Sequence, residues 1–149
     1  MQTTTDNCAA VKGAQLVAIV VKPWLVEQVI NEIKGVLDYQ QQTIMNMAAA
    51  ISSDTLFSWL EKDGKKPALF QVIPNIAIAY KASMTFIVPC RASEEQTAFV
   101  KSLFDDMGKS LITDEAHLSA GTTLASCGIA YAMRYVRAAS EGGVELGFK

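Results

Sequence analysis

Leu16-Val17-Ala18-Ile19-Val20-Val21, followed after Lys22 by Pro23, is the stretch that decides the fold. The run is continuous, apolar and rich in β-branched side chains, the pattern of a strand buried on both faces of a parallel sheet. Pro23 suits the first turn of a helix, where a missing N–H costs nothing. Behind it Leu25, Val26, Val29, Ile30, Ile33, Val36 and Leu37 recur at helical spacing, with Glu27, Asn31 and Lys34 outside the stripe. A buried strand leading into an amphipathic helix is half of a βαβ unit.

The pattern repeats downstream. Thr43–Ala49 reads as a second strand, and Ser52 or Ser53 caps a short helix presenting Leu56, Trp59 and Leu60. Asp63–Pro67 is a polar turn. Ala68–Ile73 is a third strand stopped by Pro74-Asn75, and Ser83–Val88 a fourth ended by Pro89. Ser93 and Gln96 form a capping box for a helix that turns Val100, Leu103, Phe104 and Met107 inward and stops at Gly108. Ser110–Thr113 is open to a last edge strand. Alternation with short connections predicts a mostly parallel sheet that holds all four main strands, with flanking helices.

From Asp114 the character changes. Asp114-Glu115 places two carboxylates where a helix N-terminus favours them. In Ala120–Gly128 only Leu124 is large, so the segment is expected to pack tightly against a helix or a loop. The division expected is 1–113 for the sheet and 114–149 for the start of a helical domain. The segment 118–146 carries Leu124, Ile129, Met133 and Val136 with little chain left to cover them, which predicts an interface and at least a dimer.

With 149 residues, 50% hydrophobic and 19% charged, the chain is long enough for a core and too apolar for general disorder. A net charge of −2 gives no electrostatic footprint for nucleic acid or an anionic membrane. No apolar stretch approaches the roughly 20 residues needed to cross a bilayer. Cys8, Cys90 and Cys127 are scattered and make no cluster with His117, the single histidine, so neither a disulfide framework nor a metal site is expected. A reduced, cytoplasmic, soluble protein is the default reading. The chain contains no G-x-G-x-x-G, G-x-x-x-x-G-K-[ST], H-E-x-x-H or G-x-S-x-G. Composition and spacing therefore reach an incomplete α/β domain followed by helices.

Local wording goes further. Val21-Lys22-Pro23-Trp24 follows the first strand, Met47-Ala48-Ala49-Ala50-Ile51-Ser52 the second, and Val72-Ile73-Pro74-Asn75 ends the third. Thr122-Thr123-Leu124-Ala125-Ser126-Cys127-Gly128-Ile129-Ala130-Tyr131 and Glu141-Gly142-Gly143-Val144-Glu145-Leu146-Gly147 come later. In that order, from about Asp6 to Gly147, the sequence resembles the pyrroline-5-carboxylate reductases. Their words are A-V-K-P, S-x-A-A-G-I-S, M-P-N-T-P, T-x-L-S-G-S-G-P-A-Y and A-D-x-G-V-x-x-G. Ile76-Ala77 departs from Thr-Pro, and Ala125-Ser126-Cys127-Gly128-Ile129 departs from Ser-Gly-Ser-Gly-Pro. That second departure leaves the helix geometry there open.

The resemblance implies a Rossmann-type nucleotide domain, present here in part, followed by the first helices of a dimerisation domain. It implies a cofactor, NADP or NAD, and 1-pyrroline-5-carboxylate as a substrate reduced to L-proline in the last step of proline biosynthesis. It points to Val20, Val21, Lys22 and Pro23 against the cofactor, to Met47, Ala48 and Ala49 near the nicotinamide, and to Asn75 closing that pocket. Taken without the family, Lys22-Pro23 is a helix start, Ala48-Ala49 tight packing and Asn75 a turn residue. The family's G-x-G-x-M-G phosphate loop and S-P-G-G-T substrate segment are not among these residues. No catalytic residue is therefore assigned, and the chain alone is expected to be inactive. The competing expectation is a short, non-catalytic relative that serves as an oligomerisation module.

Overall fold

The computed structural model describes residues 2–149. Five strands pair in chain order: β1 (Leu16–Ile19), β2 (Thr43–Asn46), β3 (Ala68–Ile73), β4 (Ser83–Cys90) and β5 (Gly108–Ile112). The crossovers α2 (Pro23–Ile33) and α3 (Ser53–Leu60) make β1, β2 and β3 parallel. Both helices cover one face, where Val26, Ile30, Leu56 and Leu60 pack with Ile19, Ile44 and Leu69. Side chains alternate along a strand, so Phe70 and Val72 emerge on the other face, with Met45 and Ile87. There α4 (Glu94–Asp105) covers them through Val100 and Phe104. The mostly parallel α/β architecture expected from the sequence is the one observed.

One strand runs against that expectation. β4 is antiparallel to β3, with Val72 opposite Ile87. A parallel return needs a crossover of a dozen or more residues, whereas only Pro74–Ala82 joins the two, with a 3₁₀ turn at Ile76–Tyr80. The chain must reverse. β4 then continues through Pro89 to Cys90 instead of stopping at the proline. Its pairing with β5 ends at Ile87 and Ile112, so the missing N–H of Pro89 removes no bond on that side.

Other boundaries move for local reasons. β1 ends at Ile19 and β2 at Asn46, short of Val21 and Ala49, because both strands give way to the loops at the sheet edge. Helix α2 closes at Ile33 into a 3₁₀ turn, Lys34–Val36, which rotates Val36 out to 52% exposure, and Leu25 also faces outward. In α4, Leu103 sits at the rim instead of in the core. A short α1 (Asn7–Val11), capped by the Asp6 side chain, precedes the sheet. Gly108 is the first residue of β5 and not only a helix terminator. Of the two serines left open for α3, Ser52 is the cap, and the expected reciprocal Ser93–Gln96 box opens α4.

After β5 the Asp114 side chain accepts from the His117 N–H and opens α5 (Glu115–Thr122). A π-helical turn, Thr123–Cys127, joins α5 to α6 (Gly128–Glu145). Leu118 of α5 packs with Ile73 and Val88. A Cβ at Gly121 would lie 2.7 Å from the Phe86 ring, so the small-residue stretch does allow a close approach, but to strand β4 of the sheet and not to a helix or a loop as expected. Along α6, by contrast, no residue is buried, and Tyr131, Met133, Tyr135 and Val136 face outward. Among the described residues no helix is long and apolar enough to cross a membrane.

Gly108 has φ +145°, and a Cβ there would fall 2.2 Å from the Ser83 carbonyl oxygen. Gly108→Ala is therefore expected to destabilise the fold by about 2 kcal/mol or more, read as a lowered denaturant midpoint. Gly35→Ala, which meets no atom within 4 Å, should change it by less than about 0.5 kcal/mol.

Candidate functional site

The carboxyl ends of β1, β2 and β3 share one edge of the sheet, the edge at which open α/β sheets take ligands. The Met47 N–H donates to the Ile19 carbonyl at 3.0 Å, so the loop after β2 is tied to the end of β1. This brings Val20-Val21-Lys22-Pro23 and Met47-Ala48-Ala49 side by side. Val20 and Lys22 are exposed, Val21 packs into the core, and Pro23 occupies the first helical position of α2. Buried Asn46 fixes the second loop: its Oδ1 accepts from the Ala48 N–H at 3.3 Å, and its Nδ2 donates to the Ala48 carbonyl at 2.8 Å. Ala50 follows with φ +63°, a left-handed conformation at the place where the word S-x-A-A-G-I-S has glycine.

Asn75 ends β3 and is turned inward. Its N–H donates to Ser83 Oγ and its Oδ1 accepts from the Ala77 N–H at 3.0 Å. Nδ2 donates to the Ala125 carbonyl at 3.0 Å, within the π turn. In that turn the Gly128 N–H bonds Thr123 O, one residue further than in an α-helix. Thr122 and Thr123 hydroxyls bond back to the carbonyls of Leu118 and Ser119, a habit that bends helices. Both polar atoms of the Asn75 side chain thus hold backbone.

Between α5 and the face of the sheet lies a cavity of about 350 Å³, reached from the Ala49–Ser52 loop. Ala49 is the one residue of the sequence-derived set that lines it. Ile51, Ile73 and Leu118 make apolar walls, and Ser52, Gln71, Glu115, Ser119, Thr122 and Thr123 make the polar lining. The Glu115 carboxylate accepts from the Ser53 N–H at 2.8 Å and from the Ser53 hydroxyl, and so satisfies a free donor at the start of α3. Among the described residues it makes no ion pair. Gln71 is 2% exposed and its Nε2 has no hydrogen-bond partner among the described residues. Half-buried Cys90 lies against this group. Burial pushes its thiol up to about 11, helped by the Glu115 charge and opposed by hydrogen bonds from the Gln71 backbone and the Ser53 side chain.

Reading the sequence alone did not single out Gln71, Asn46 or the Glu115–Ser53 contact. The signal for Gln71 is visible in hindsight, as a lone amide inside the apolar run Ala68–Ile73. Glu115 bonds a residue 62 positions away, which no local pattern reveals. No group of three or more His, Cys, Asp or Glu side chains that could hold a metal ion occurs among the described residues.

No protein-family model matches the chain. Over 138 residues, 92% of its length, it is 32% identical to pyrroline-5-carboxylate reductase of Arabidopsis thaliana, of which it covers 48%. The crystal structure of 1-pyrroline-5-carboxylate reductase from Streptococcus pyogenes superposes with a TM-score of 0.83 at 26% identity, over 95% of this chain and 52% of that one. The chain is homologous to the pyrroline-5-carboxylate reductases. Pyrroline carboxylate reductase of Plasmodium falciparum, crystallised with NADP bound, shares the fold with a TM-score of 0.88 at 16% identity, over 98% of this chain and 54% of that one. The chain spans about half the length of these reductases, and 28% of a relative in Dictyostelium discoideum. The fold inferred for this reductase relative, part of a Rossmann domain followed by helices, is therefore shared with solved members.

Ala50 is not glycine, yet it holds a left-handed backbone. Ala50→Gly is expected to stabilise the chain by about 0.5–1 kcal/mol, the αL strain relieved less the entropy glycine adds to the unfolded state. Equilibrium urea unfolding measures it.

Proposed function

We propose that this chain is the central part of an NAD(P)H-dependent reductase that converts 1-pyrroline-5-carboxylate to L-proline. The observation that carries the reading is the 32% identity to a reductase of that name, running almost end to end through this chain. The cofactor supplies the hydride that reduces the C=N bond. Residues 1–113 are read as the nucleotide-binding part and 114–149 as the start of the dimerisation part.

The residues present fit one end of such a cofactor. Val20, Val21, Lys22 and Pro23 form one wall at the sheet edge and Met47, Ala48 and Ala49 the other. The adjoining cavity, lined by Ile51, Ile73 and Leu118 together with Ser52, Ser119, Thr122 and Thr123, suits a small head group with donors and acceptors. Asn75 would act on the site by holding the π turn, since both ends of its side chain bond backbone. The diphosphate is another matter: among the described residues no strand-to-helix turn contains glycine. Backbone N–H groups of such turns anchor diphosphates, so the 149 residues alone are expected to hold NADPH weakly and to turn over little or no imine.

The exposed apolar face of α6 supports a homodimer through this helix, and it is also the observation that favours the second reading, a non-catalytic oligomerisation module. A chimera separates them. Residues 6–147 are placed into the Arabidopsis reductase in exchange for the matching stretch, and NADPH absorbance is followed on adding the imine. Imine-dependent oxidation is expected; a chimera that unfolds cooperatively yet oxidises no NADPH would refute the catalytic reading. For assembly, Met133→Glu is expected to weaken self-association about tenfold or more, equivalent to about 1.4 kcal/mol. Lys101→Glu, on α4, should leave it unchanged in sedimentation equilibrium.

A further inference from the structure

We propose that Glu115 is a positioning residue for hydride transfer: through Ser53 it holds the Ala49–Ser52 loop where the nicotinamide end of the cofactor is received. This rests on the reductase reading, which puts Met47, Ala48 and Ala49 near that ring, and adds to it a residue from the helical part of the chain.

The argument starts from how little holds the loop. At its entry Asn46 clamps both backbone groups of Ala48, at 2.8 and 3.3 Å. Beyond that point the N–H groups of Ala49, Ala50, Ile51 and Ser52 donate to no acceptor among the described residues. Ala49, Ala50 and Ser52 are exposed, and Ala50 keeps a left-handed backbone that a non-glycine residue holds only where its surroundings enforce it. Ile51 packs on the core but leaves the peptide groups on either side unbonded. At the exit Ser52 caps α3 locally, and the hydrogen bonds that tie this end to another element are those of Ser53 to Glu115. Glu115 stands in the first turn of α5, so its carboxylate lies between the amino ends of two helices and offsets the positive end of each. Helix α5 is itself fixed on the sheet, by Leu118 between Ile73 and Val88 and by Gly121 against Phe86, so the anchor is a rigid one. Glu115 and the loop line the same cavity, and a shift of the anchor reshapes that wall directly. Hydride transfer needs its reacting atoms about 3–3.5 Å apart, and a misplacement of about 1 Å can cost about 100-fold in rate.

Two measurements test it. In ¹⁵N relaxation of the 149-residue chain without nucleotide, Glu115→Ala is expected to lower the order parameters of residues 50–53 from about 0.85 to below about 0.6, with β3 unchanged. Glu115→Gln, which keeps an acceptor for Ser53, should stay near the unsubstituted chain. In the Arabidopsis chimera, Glu115→Ala is expected to lower kcat about tenfold and to leave KM for NADPH within about twofold, since the phosphate loop comes from the reductase half. The isotope effect with NADPH deuterated at the transferred position should rise at the same time. A misplaced ring makes hydride transfer the slow step, whereas a smaller folded fraction lowers kcat without altering the isotope effect. Glu115→Gln should recover most of the lost rate, and Ser53→Ala should cost less in the Glu115→Ala background than alone. Unchanged order parameters, an unchanged isotope effect, or full additivity of the two substitutions would each overturn the proposal. Imine-dependent oxidation by the unsubstituted chimera is measured first. Its absence strikes the reductase reading and this inference with it, whereas an active chimera indifferent to Glu115→Ala strikes this inference alone.

Discussion

The close seating of α5 on β4 is the contact from which the rest follows. At Gly121 the helix backbone comes so near the Phe86 ring that even a methyl group would collide with it. That proximity buries Leu118 between Ile73 and Val88 and carries Glu115 to the first turn of α3, where it bonds Ser53. A helix reached only after five strands thus closes onto one built between the second and third. The cavity is the space between α5 and the Gln71 and Ile73 side chains of β3, closed at one end by the Ala49–Ser52 loop.

Polar groups inside this arrangement divide into two kinds. Asn46 and Asn75 are fully used, each amide spent on backbone groups of the loops that follow β2 and β3. A buried amide satisfied in this way rigidifies a loop at little cost. Gln71 is different, buried as deeply but with a donor left over. All three sit in or beside the same strand ends, and of the three only Gln71 lines the cavity, together with Glu115.

The π turn links this site to the exposed helix. Asn75 grips the Ala125 carbonyl inside the turn, so the end of β3 bears on the point where α5 passes into α6. Beyond that point the chain buries nothing, and apolar side chains on more than one side of α6, among them Tyr131, Met133, Tyr135 and Val136, are left to solvent.

Hydrophobic periodicity was enough to place four of the strands and the main helices and left the fifth strand open, because burial on a sheet or helix face imposes a local repeat that a window of residues displays. The capping box at Ser93 was equally legible, being a bond between residues three positions apart; the α3 cap was narrowed to Ser52 or Ser53, and Asp114 was placed only at a helix start. The direction of β4 was also implicit, in the length of Pro74–Ala82, although alternation alone suggested the opposite. Val20–Pro23 and Met47–Ala49 were found through local wording, and their adjacency follows from parallel pairing. Tertiary structure alone decided the rest. Glu115 meets Ser53 across 62 residues, Asn75 reaches Ala125 across 50, and Gly121 meets Phe86 from another element. Such contacts depend on how two finished elements pack against each other, a relation for which no local pattern of residue types carries a signal.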